Sequence, residues 1–448
     1  MNIAAHSLPR PMGAAHAQSG QLRFFVHGAL FSTLFLAKFG FTFGHSFLQL
    51  ALPLCTILLG WIILTSNARI NARALALYGM FVCAVLLDAV IVSLNSETAN
   101  FSLPSLALLI VVYGFFVFEP KRELDTSIVV DIYLKYTMAF ALLGIFQYVA
   151  QFAGFRISSL SSLMPALKPI LIEDFFNSNA IMEYGSSVVR TNAIFLREPS
   201  TLSQLLVTAM VVEVLVKKRF RFLPIYIVAY LMSFSGTGLL SLVVALILSA
   251  FFSVRDAMRL PLIAVCGIAL VIVISVAAPS VANKYIQRIG EFNSVQSSAY
   301  FRYIAQGRAW SDMIDDGSIL TGNGPGSFER TYGASKIASN AVLKLTHDYG
   351  VIPMLLCFTL IATTIWLSQA RIISLLHLAL FQLGGGTELN ACFLIPMLIL
   401  CVWGLKSFQF AGWPSPDIIS KLRPKRLDQR KDPVVGPGLT GDGGRIQT

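Results

Sequence analysis

The sequence predicts an all-α protein, a polytopic membrane helix bundle of about 12 transmembrane helices with two large extracytoplasmic loops. Hydrophobic residues make up 55% of the 448 residues and charged residues only 13%, whereas a soluble protein carries about 25% charged residues. The apolar residues form continuous runs that can cross the roughly 30 Å core of a bilayer as helices. Loops that carry basic residues alternate with loops that carry none, as expected when consecutive helices cross a membrane in opposite directions.

The predicted spans are apolar runs with few or no charged residues. Runs 222–235 and 372–384 are shorter than the usual span of about 17–25 residues, so the predicted number holds to within one or two. In chain order the runs are 24–43, 46–66, 74–94, 104–118, 132–153, 201–216, 222–235, 238–254, 260–279, 349–369, 372–384 and 389–407.

Basic residues predict the orientation of the bundle. The short connections around 44–45, 95–103, 235–238 and 384–388 contain no lysine or arginine, whereas the connections that alternate with them do. Because lysine and arginine in short loops stay on the cytoplasmic side, these four connections are expected outside. Both chain termini are then expected in the cytoplasm.

The expected organisation has three parts. Segment 1–23 is cytoplasmic, residues 24–413 form the membrane domain, and residues 414–448 form a disordered basic tail that contacts anionic membrane lipids. The net charge of +11 does not indicate a nucleic-acid partner, because that function needs a basic patch on a soluble folded face. All six cysteines fall in predicted spans, so the sequence predicts no metal site and no cofactor.

Two connections are much longer than the others, and both fall on the predicted outer side. They cover about residues 154–200 and 280–348, and connections of this length are usually functional or disordered. Together they hold eleven of the 34 basic residues and ten of the 23 acidic residues. Because the loops are nearly neutral, any anion site in them must depend on particular arginines.

The end of the first long loop holds one such pair of arginines. Arg190 and Arg197 precede Glu198 and Pro199, and Pro199 suits the first turn of the helix that follows. One interpretation makes Arg197 and Glu198 an exposed charge pair at the membrane surface. The other makes Arg190 and Arg197 the ligands of a phosphate or diphosphate, because the planar guanidinium binds phosphate oxygens in pairs.

The second long loop is expected to contain a helix over about residues 298–316. Arg302 has no acidic residue three or four positions later, whereas Arg308 has Asp312 at that spacing. An i, i+4 pair on a helix surface accounts for Arg308 without a ligand. Arg302 is therefore the preferred ligand-facing arginine, and Arg308 is a weaker candidate.

Further along the same loop, Gly322, Gly324 and Gly326 allow tight backbone that can present N–H groups to an anion. The segment lacks the Gly-Lys-Ser/Thr of a P-loop, and by itself it is more often a turn than a site. His347 follows at the predicted outer interface. It is either a general base, since its ordinary pKa is near neutral, or simply a partly wetted interfacial side chain.

The order of these features resembles the O-antigen ligase and polymerase superfamily over about residues 40–405. Arg-x6-Arg-Glu-Pro-Ser opens a span, and Ser-Phe-Ser-Gly-Thr-Gly over 233–238 forms a tight outer turn. They are followed by the helix with Arg302, by Gly-x-Gly-x-Gly-x-Phe over 322–328, and by Asn-x-x-Leu-x6-Gly over 340–350.

The resemblance implies metal-independent glycosyl transfer on the outer face of the bacterial inner membrane. The donor would be a glycan linked to undecaprenyl diphosphate, and a chain-length regulator and other polysaccharide assembly proteins would be partners. The diphosphate would bind Arg190, Arg197 and Arg302. The further candidate substrate contacts are Glu198, Arg308, Gly322, Gly324, Gly326 and Asn340. His347 is a candidate catalytic residue by its chemistry alone, because it lies eight residues after the position of the family histidine, so the resemblance leaves the general base unassigned.

Two departures from the pattern favour one branch of the superfamily. Ligases carry histidine just before the asparagine of the last motif, where this chain has Ser339, and arginine in the tight turn, where it has Gly236. The sequence therefore favours a polymerase of exopolysaccharide or O-antigen repeat units. An O-antigen ligase remains an alternative, and so does a transporter of lipid-linked glycans, although the chain lacks the repeated halves typical of transporters.

Overall fold

The computed structural model describes residues 12–43, 46–95, 102–121, 126–172, 188–252, 300–333, 339–368 and 370–406. The predicted span 260–279, the start of the second long loop and the tail over 414–448 lie outside the described residues. The described chain is mostly helical, as the apolar runs predict.

Helices of the first half overlap the predicted spans, and the first long loop adds one short helix. In chain order they are α1 (Met12–Leu34), α2 (Ala51–Leu64), α3 (Ala72–Asn95), α4 (Leu103–Gly114), α5 (Ser127–Ala150), α6 (Leu160–Leu163), α7 (Pro199–Val212), α8 (Leu223–Ser233) and α9 (Thr237–Phe252).

The described part of the second half contains three helices of the second long loop and three apolar helices. They are α10 (Gln306–Asp315), α11 (Ser327–Tyr332), α12 (Ala341–Tyr349), α13 (Val351–Ile365), α14 (Arg371–Leu383) and α15 (Ala391–Leu398). Wider π-helical turns precede α10, over Tyr300–Ile304, and extend α7 and α15, over Glu213–Lys217 and Ile399–Leu405.

Three described helices are long and apolar enough to cross a membrane: Ala72–Leu94, Ser127–Ala153 and Pro199–Lys217. Shorter apolar helices of 10–17 residues lie at the positions of other predicted spans. Length and composition therefore indicate a helical membrane protein.

One predicted helical region is instead a β-hairpin. The runs 24–43 and 46–66 were expected to be two helices, but α1 ends at Leu34 and strands β1 (Gly40–Phe43) and β2 (Ser46–Gln49) pair before α2 begins. Aromatic and β-branched residues in the sequence Gly-Phe-Thr-Phe favour a strand. A second small ladder joins β3 (Ala68–Ile70) to β4 (Phe118–Pro120).

Helix α7 lies at the centre of the described bundle. About 89% of an 18-residue apolar stretch of Pro199–Lys217 is buried inside the protein, compared with 22% of the equivalent stretch of Ala72–Leu94. Helix α7 packs against α5, α8, α9 and α14. Small side chains allow this close packing. At Gly238, for example, an added Cβ would lie 2.7 Å from the carbonyl oxygen of Ser203 in α7. The N-terminus of α7 is therefore held firmly from several sides.

Candidate functional site

The candidate site, which we call the arginine site, consists of Arg197, Glu198, Arg302 and the loop 384–390. Glu198 is the N-cap residue of α7, and Pro199 occupies the first turn of that helix, as predicted. The Ser200 hydroxyl donates a 2.9 Å hydrogen bond to Glu198 Oε2. The positive end of the helix dipole makes this end of α7 suitable for an anion.

Arg302 reaches this helix end from the second long loop. Its Nη2 lies 3.1 Å from Glu198 Oε2, and the two side chains are 21% and 26% exposed. Burial raises the pKa of Glu198, but Arg302, Ser200 and Arg197 together lower it by a larger amount. The pKa of Glu198 therefore lies below its usual value. Arg302 was expected to face a ligand because no acid follows it on its own helix. Its acidic partner comes instead from the other long loop.

Arg197 is half-buried beside this pair. Burial lowers the pKa of its guanidinium, and the neighbouring Cys392, Glu198 and Glu388 oppose that change. Arg197 therefore lies within electrostatic reach of two carboxylates, one of them on the loop 384–390. Arg190 is also half-buried and begins the segment that leads to Arg197.

The loop 384–390 completes the arginine site. Gly385 and Gly386 have φ angles of 65° and 61°, a backbone conformation that glycine adopts without strain. Gly386 N donates a 3.1 Å hydrogen bond to Ser339 O, and an added Cβ on Gly385 would lie 4.0 Å from Arg302 Nε. In addition, the Tyr303 hydroxyl donates to Leu383 O at 3.5 Å. The loop 384–390 thus contacts two parts of the second long loop, one around Arg302 and Tyr303 and the other at Ser339.

Glu388 is the acidic residue of this loop, and the sequence reasoning missed it. Its side chain is 2% exposed, and Oε2 has no hydrogen-bond partner among the described residues. Burial raises its pKa to about 7, although Lys344 acts in the opposite direction. An acid in an outer loop that otherwise contains only glycine and uncharged residues was the available signal.

The pH dependence of the unfolding temperature should reveal the buried carboxyl of Glu388. Because the pKa of Glu388 is higher in the folded protein than in the unfolded chain, its contribution is complete below the unfolded value and is lost as pH rises through about 7. We expect the unfolding temperature of the Glu388→Gln variant to exceed that of wild type increasingly between about pH 5 and pH 8. Thermal unfolding in detergent across this range measures it, and parallel curves would contradict it.

The segment that carries Arg190 and Arg197 is held in a strained conformation by Gln147 of α5. Ala193 and Ile194 have φ angles of 53° and 65°, which cost free energy for residues other than glycine. Gln147 Oε1 accepts hydrogen bonds from Thr191 Oγ1 at 2.7 Å, Asn192 N at 3.0 Å and Ile194 N at 3.1 Å. One buried amide therefore fixes the backbone that leads to Arg197.

Replacing Gln147 with leucine should release this segment. The variant leaves the donors of Thr191, Asn192 and Ile194 without their acceptor, and we expect a loss of about 2 kcal/mol in the free energy of unfolding. Hydrogen exchange of residues 190–197 should increase more than exchange in α3. Gln151→Leu is not a suitable control, because the half-buried Gln151 holds Val189 of the same segment. Unchanged exchange at 190–197 would contradict the prediction.

The glycine-rich loop binds a carboxylate, but that carboxylate belongs to the protein itself. Asp348 accepts hydrogen bonds from Gly326 N at 3.1 Å, Phe328 N at 2.8 Å and Ser327 Oγ at 2.9 Å. The Gly322 N–H donates to Ser318 O at 2.7 Å. Gly322, Gly324 and Gly326 all have positive φ, as expected of tight backbone. The hydrogen-bond donors of Gly326, Ser327 and Phe328 therefore bind Asp348 of the same chain, and not the substrate anion that was expected at this loop.

His347 does not occupy the wetted position expected at the outer interface. Its side chain is 3% exposed, and Nδ1 lies 3.0 Å from Ser327 Oγ. The rings of Phe328 and Tyr332 pack against the imidazole, each with its centroid 5.4 Å away. The serine hydroxyl donates to Asp348, so the three polar residues do not have the order of a nucleophilic triad. Their arrangement indicates a buried structural cluster.

Lys344 connects this cluster to the arginine site. The lysine is 3% exposed, forms an ion pair with Glu329 and lies 3.7 Å from Asp348 Oδ2. Burial lowers its pKa, but Asp348, Glu329 and Glu388 raise it more, so it stays charged. Burial raises the pKa of Asp348, but Lys344, His347 and the Phe328 N–H together lower it by more, so the pKa lies below its usual value. The charge on Lys344 therefore acts on both Asp348 and Glu388.

The two remaining predicted substrate contacts are Asn340, which has hydrogen-bond partners within the protein, and Arg308, which is exposed. Asn340 is the N-cap of α12, where its Oδ1 accepts from Leu343 N at 2.8 Å, and its amide donates to Gln306 of α10. Arg308 is exposed on α10. Asp312, the expected partner of Arg308, accepts a 2.8 Å hydrogen bond from the Tyr332 hydroxyl.

Within the described ranges, no group of three or more histidine, cysteine, aspartate or glutamate side chains is arranged to hold a metal ion. The chain matches no protein-family model, no curated protein and no solved structure. The chemistry of the arginine site is therefore the basis for proposing a function. Two guanidinium groups at the N-terminus of a buried helix, partly open to solvent, are suited to bind a doubly charged phosphate ester.

Proposed function

We propose that the protein is a membrane glycosyltransferase that polymerises oligosaccharide repeat units carried on undecaprenyl diphosphate. The observation that carries the proposal is the meeting of Arg302 with Glu198, next to Arg197, at the N-terminus of α7. Two segments more than a hundred residues apart in the chain contribute to a single cationic site. The resemblance to the O-antigen ligase and polymerase superfamily rests on the same arginine-bearing segments.

The proposed reaction needs an anion site that stabilises the negative charge that develops on the leaving group as a bond breaks. A hydroxyl of the acceptor repeat unit attacks the anomeric carbon of the donor glycan, and the bond from that carbon to the diphosphate breaks. The leaving diphosphate takes the electron pair. Arg302, Arg197 and Arg190 would stabilise its growing charge, with Glu198 giving up Arg302 when the stronger anion binds.

The proposal includes the predicted topology. About 12 spans in the bacterial inner membrane, with both termini in the cytoplasm, would put the arginine site on the outer face. Three helices of sufficient length and several shorter apolar helices support a membrane location. The isoprenoid of the substrate would lie among the spans. The sequence 414–448 would lie on the cytoplasmic side, and a chain-length regulator would be a partner.

Reconstitution tests the proposal. Purified full-length protein in detergent should convert lipid-linked repeat units into polymer without a membrane to cross. Failure to form polymer would contradict the proposal, and a requirement for sealed vesicles would favour a transporter. In cells, loss of a polymerase leaves single repeats on the final carrier. Polymer that accumulates on undecaprenyl diphosphate in the deletion strain would instead identify a ligase.

A further inference from the structure

We propose that Glu388 is the general base of the transfer reaction, the group that takes the proton from the acceptor hydroxyl. The inference rests on the proposed function and adds a residue to it. Glycosyl transfer to a hydroxyl requires a proton acceptor near the anion site. The Nδ1 atom of the other candidate, His347, already has a partner, because it lies 3.0 Å from the Ser327 hydroxyl.

Glu388 is positioned by a loop that is itself fastened to the arginine site. The loop is joined to Ser339 through Gly386 N, and Gly385 lies against Arg302. On the other side, Asn390 N donates to Thr387 O at 3.2 Å, and Asn390 caps α15 through Cys392 N. The carboxylate is therefore carried by rigid backbone, as a proton acceptor requires.

Among the described carboxylates close to these arginines, Glu388 is the one with a buried oxygen that lacks a hydrogen-bond partner. Glu198 is bonded to Arg302 and Ser200, while Asp348 accepts three hydrogen bonds from residues 326–328. By contrast, Glu388 Oε2 is buried and has no partner in the described part of the chain. Buried polar atoms normally have a partner, so a substrate hydroxyl is a suitable ligand for this oxygen.

The surroundings of Glu388 also suit proton transfer. Burial raises its pKa to about 7, and a base with a pKa near the working pH is the most effective. The ionisable groups within electrostatic reach come from several elements: Lys344 and Asp348 of α12, Glu329 of α11, Arg197 before α7 and Tyr113 of α4. Lys344 prevents a larger increase, so that a substantial ionised fraction is available near neutral pH.

The proposed step balances in atoms and charge. The acceptor oxygen forms a bond to the anomeric carbon, and the bond from that carbon to the diphosphate oxygen breaks with its electron pair. The proton of the hydroxyl passes to Glu388 Oε2 and then to bulk water. The diphosphate leaves as an anion paired with the arginines, and the carboxylate is restored for the next transfer.

The test uses full-length protein in detergent with lipid-linked repeat units as donor and acceptor, and compares wild type with Glu388→Gln and Glu388→Asp. We expect Glu388→Gln to lower the turnover rate by about 100-fold or more while binding of undecaprenyl diphosphate changes less than threefold. Glu388→Asp should retain an intermediate rate. The acidic limb of the wild-type pH profile should report an ionisation near 7 and should be absent from the Gln variant.

Glu329→Gln is the matched control, because Glu329 also faces Lys344 but is 57% exposed; its turnover should stay within threefold of wild type. An active wild type with an equally active Glu388→Gln variant would overturn this inference alone. A Gln variant whose loss of turnover is fully matched by its loss of donor binding, with the pH profile unchanged, would do the same. A wild type that binds undecaprenyl diphosphate but forms no polymer would overturn the proposed function as well.

Discussion

Replacing Arg302 with alanine is expected to slow polymer formation by about 10²–10³-fold, which corresponds to about 3–4 kcal/mol of transition-state stabilisation. The guanidinium lies 3.1 Å from Glu198 at the open end of α7, where it would meet the charge that grows on the leaving diphosphate. Turnover of lipid-linked repeat units by the purified variant measures the loss. Turnover should fall more than donor binding, because the interaction strengthens as the bond breaks.

Two further variants make this prediction specific. Arg302→Lys keeps the charge but not the planar pair of donors, so we expect an intermediate rate. Arg156→Ala removes an exposed arginine of the first long loop and should leave turnover within twofold of wild type. Unchanged polymer length and yield in cells that express Arg302→Ala would contradict the role of Arg302.

The sequence predicted local features of the site well and their partners poorly. Pro199 begins α7 and a helix carries Arg308, as the local patterns indicated. The contact between Arg302 and Glu198 joins positions 104 residues apart, and no local spacing rule covers such a pair. The test for an acid three or four residues away considers only neighbours on the same helix, so it could not detect an acid supplied by another loop.

A similar limit explains the glycine-rich loop. Alternate glycines correctly indicated tight backbone with positive φ. Composition could not identify the anion that this backbone would meet. That anion is the carboxylate of Asp348 in α12. Asn340 gives the same lesson, because an asparagine before a helix is a common N-cap and its motif position alone suggested a ligand.

Fold prediction succeeded where a long apolar run had a helical composition. The run 74–94 became α3, Ala72–Asn95. It failed at β1 and β2, where the residues are apolar but aromatic and β-branched. Hydropathy measures burial in lipid or protein and does not distinguish a strand from a helix in a short segment, so the hairpin required tertiary information.

The buried cluster around Asp348 has a second consequence for the arginine site. Lys344 contacts this cluster and also lowers the pKa of Glu388. The glycine-rich loop, α12 and the loop 384–390 are therefore linked through one charge. A substitution that breaks the cluster should lower the stability of the second long loop. It should affect the reaction only as a consequence of that loss.

Asp348→Ala should consequently be the most destabilising of these substitutions. It removes the acceptor of three hydrogen bonds and leaves Lys344 buried next to fewer negative charges. Removing one partner of a buried ion pair costs about 3–5 kcal/mol. Because the pKa of Asp348 is lowered in the folded protein, its contribution is present above the unfolded value and is lost as pH falls through the folded one.

Hydrogen exchange in detergent measures the effect where it should be greatest. In the Asp348→Ala variant, protection should fall over residues 322–333 and 341–349, whereas α5 and α7 should keep theirs. Asp315→Ala removes an exposed acid at the end of α10 and serves as the matched control, with an expected change below about 0.5 kcal/mol. Equal protection in both variants would mean that Asp348 does not hold the glycine-rich loop. In that case the N–H groups of Gly326 and Phe328 would again be candidates for a substrate anion.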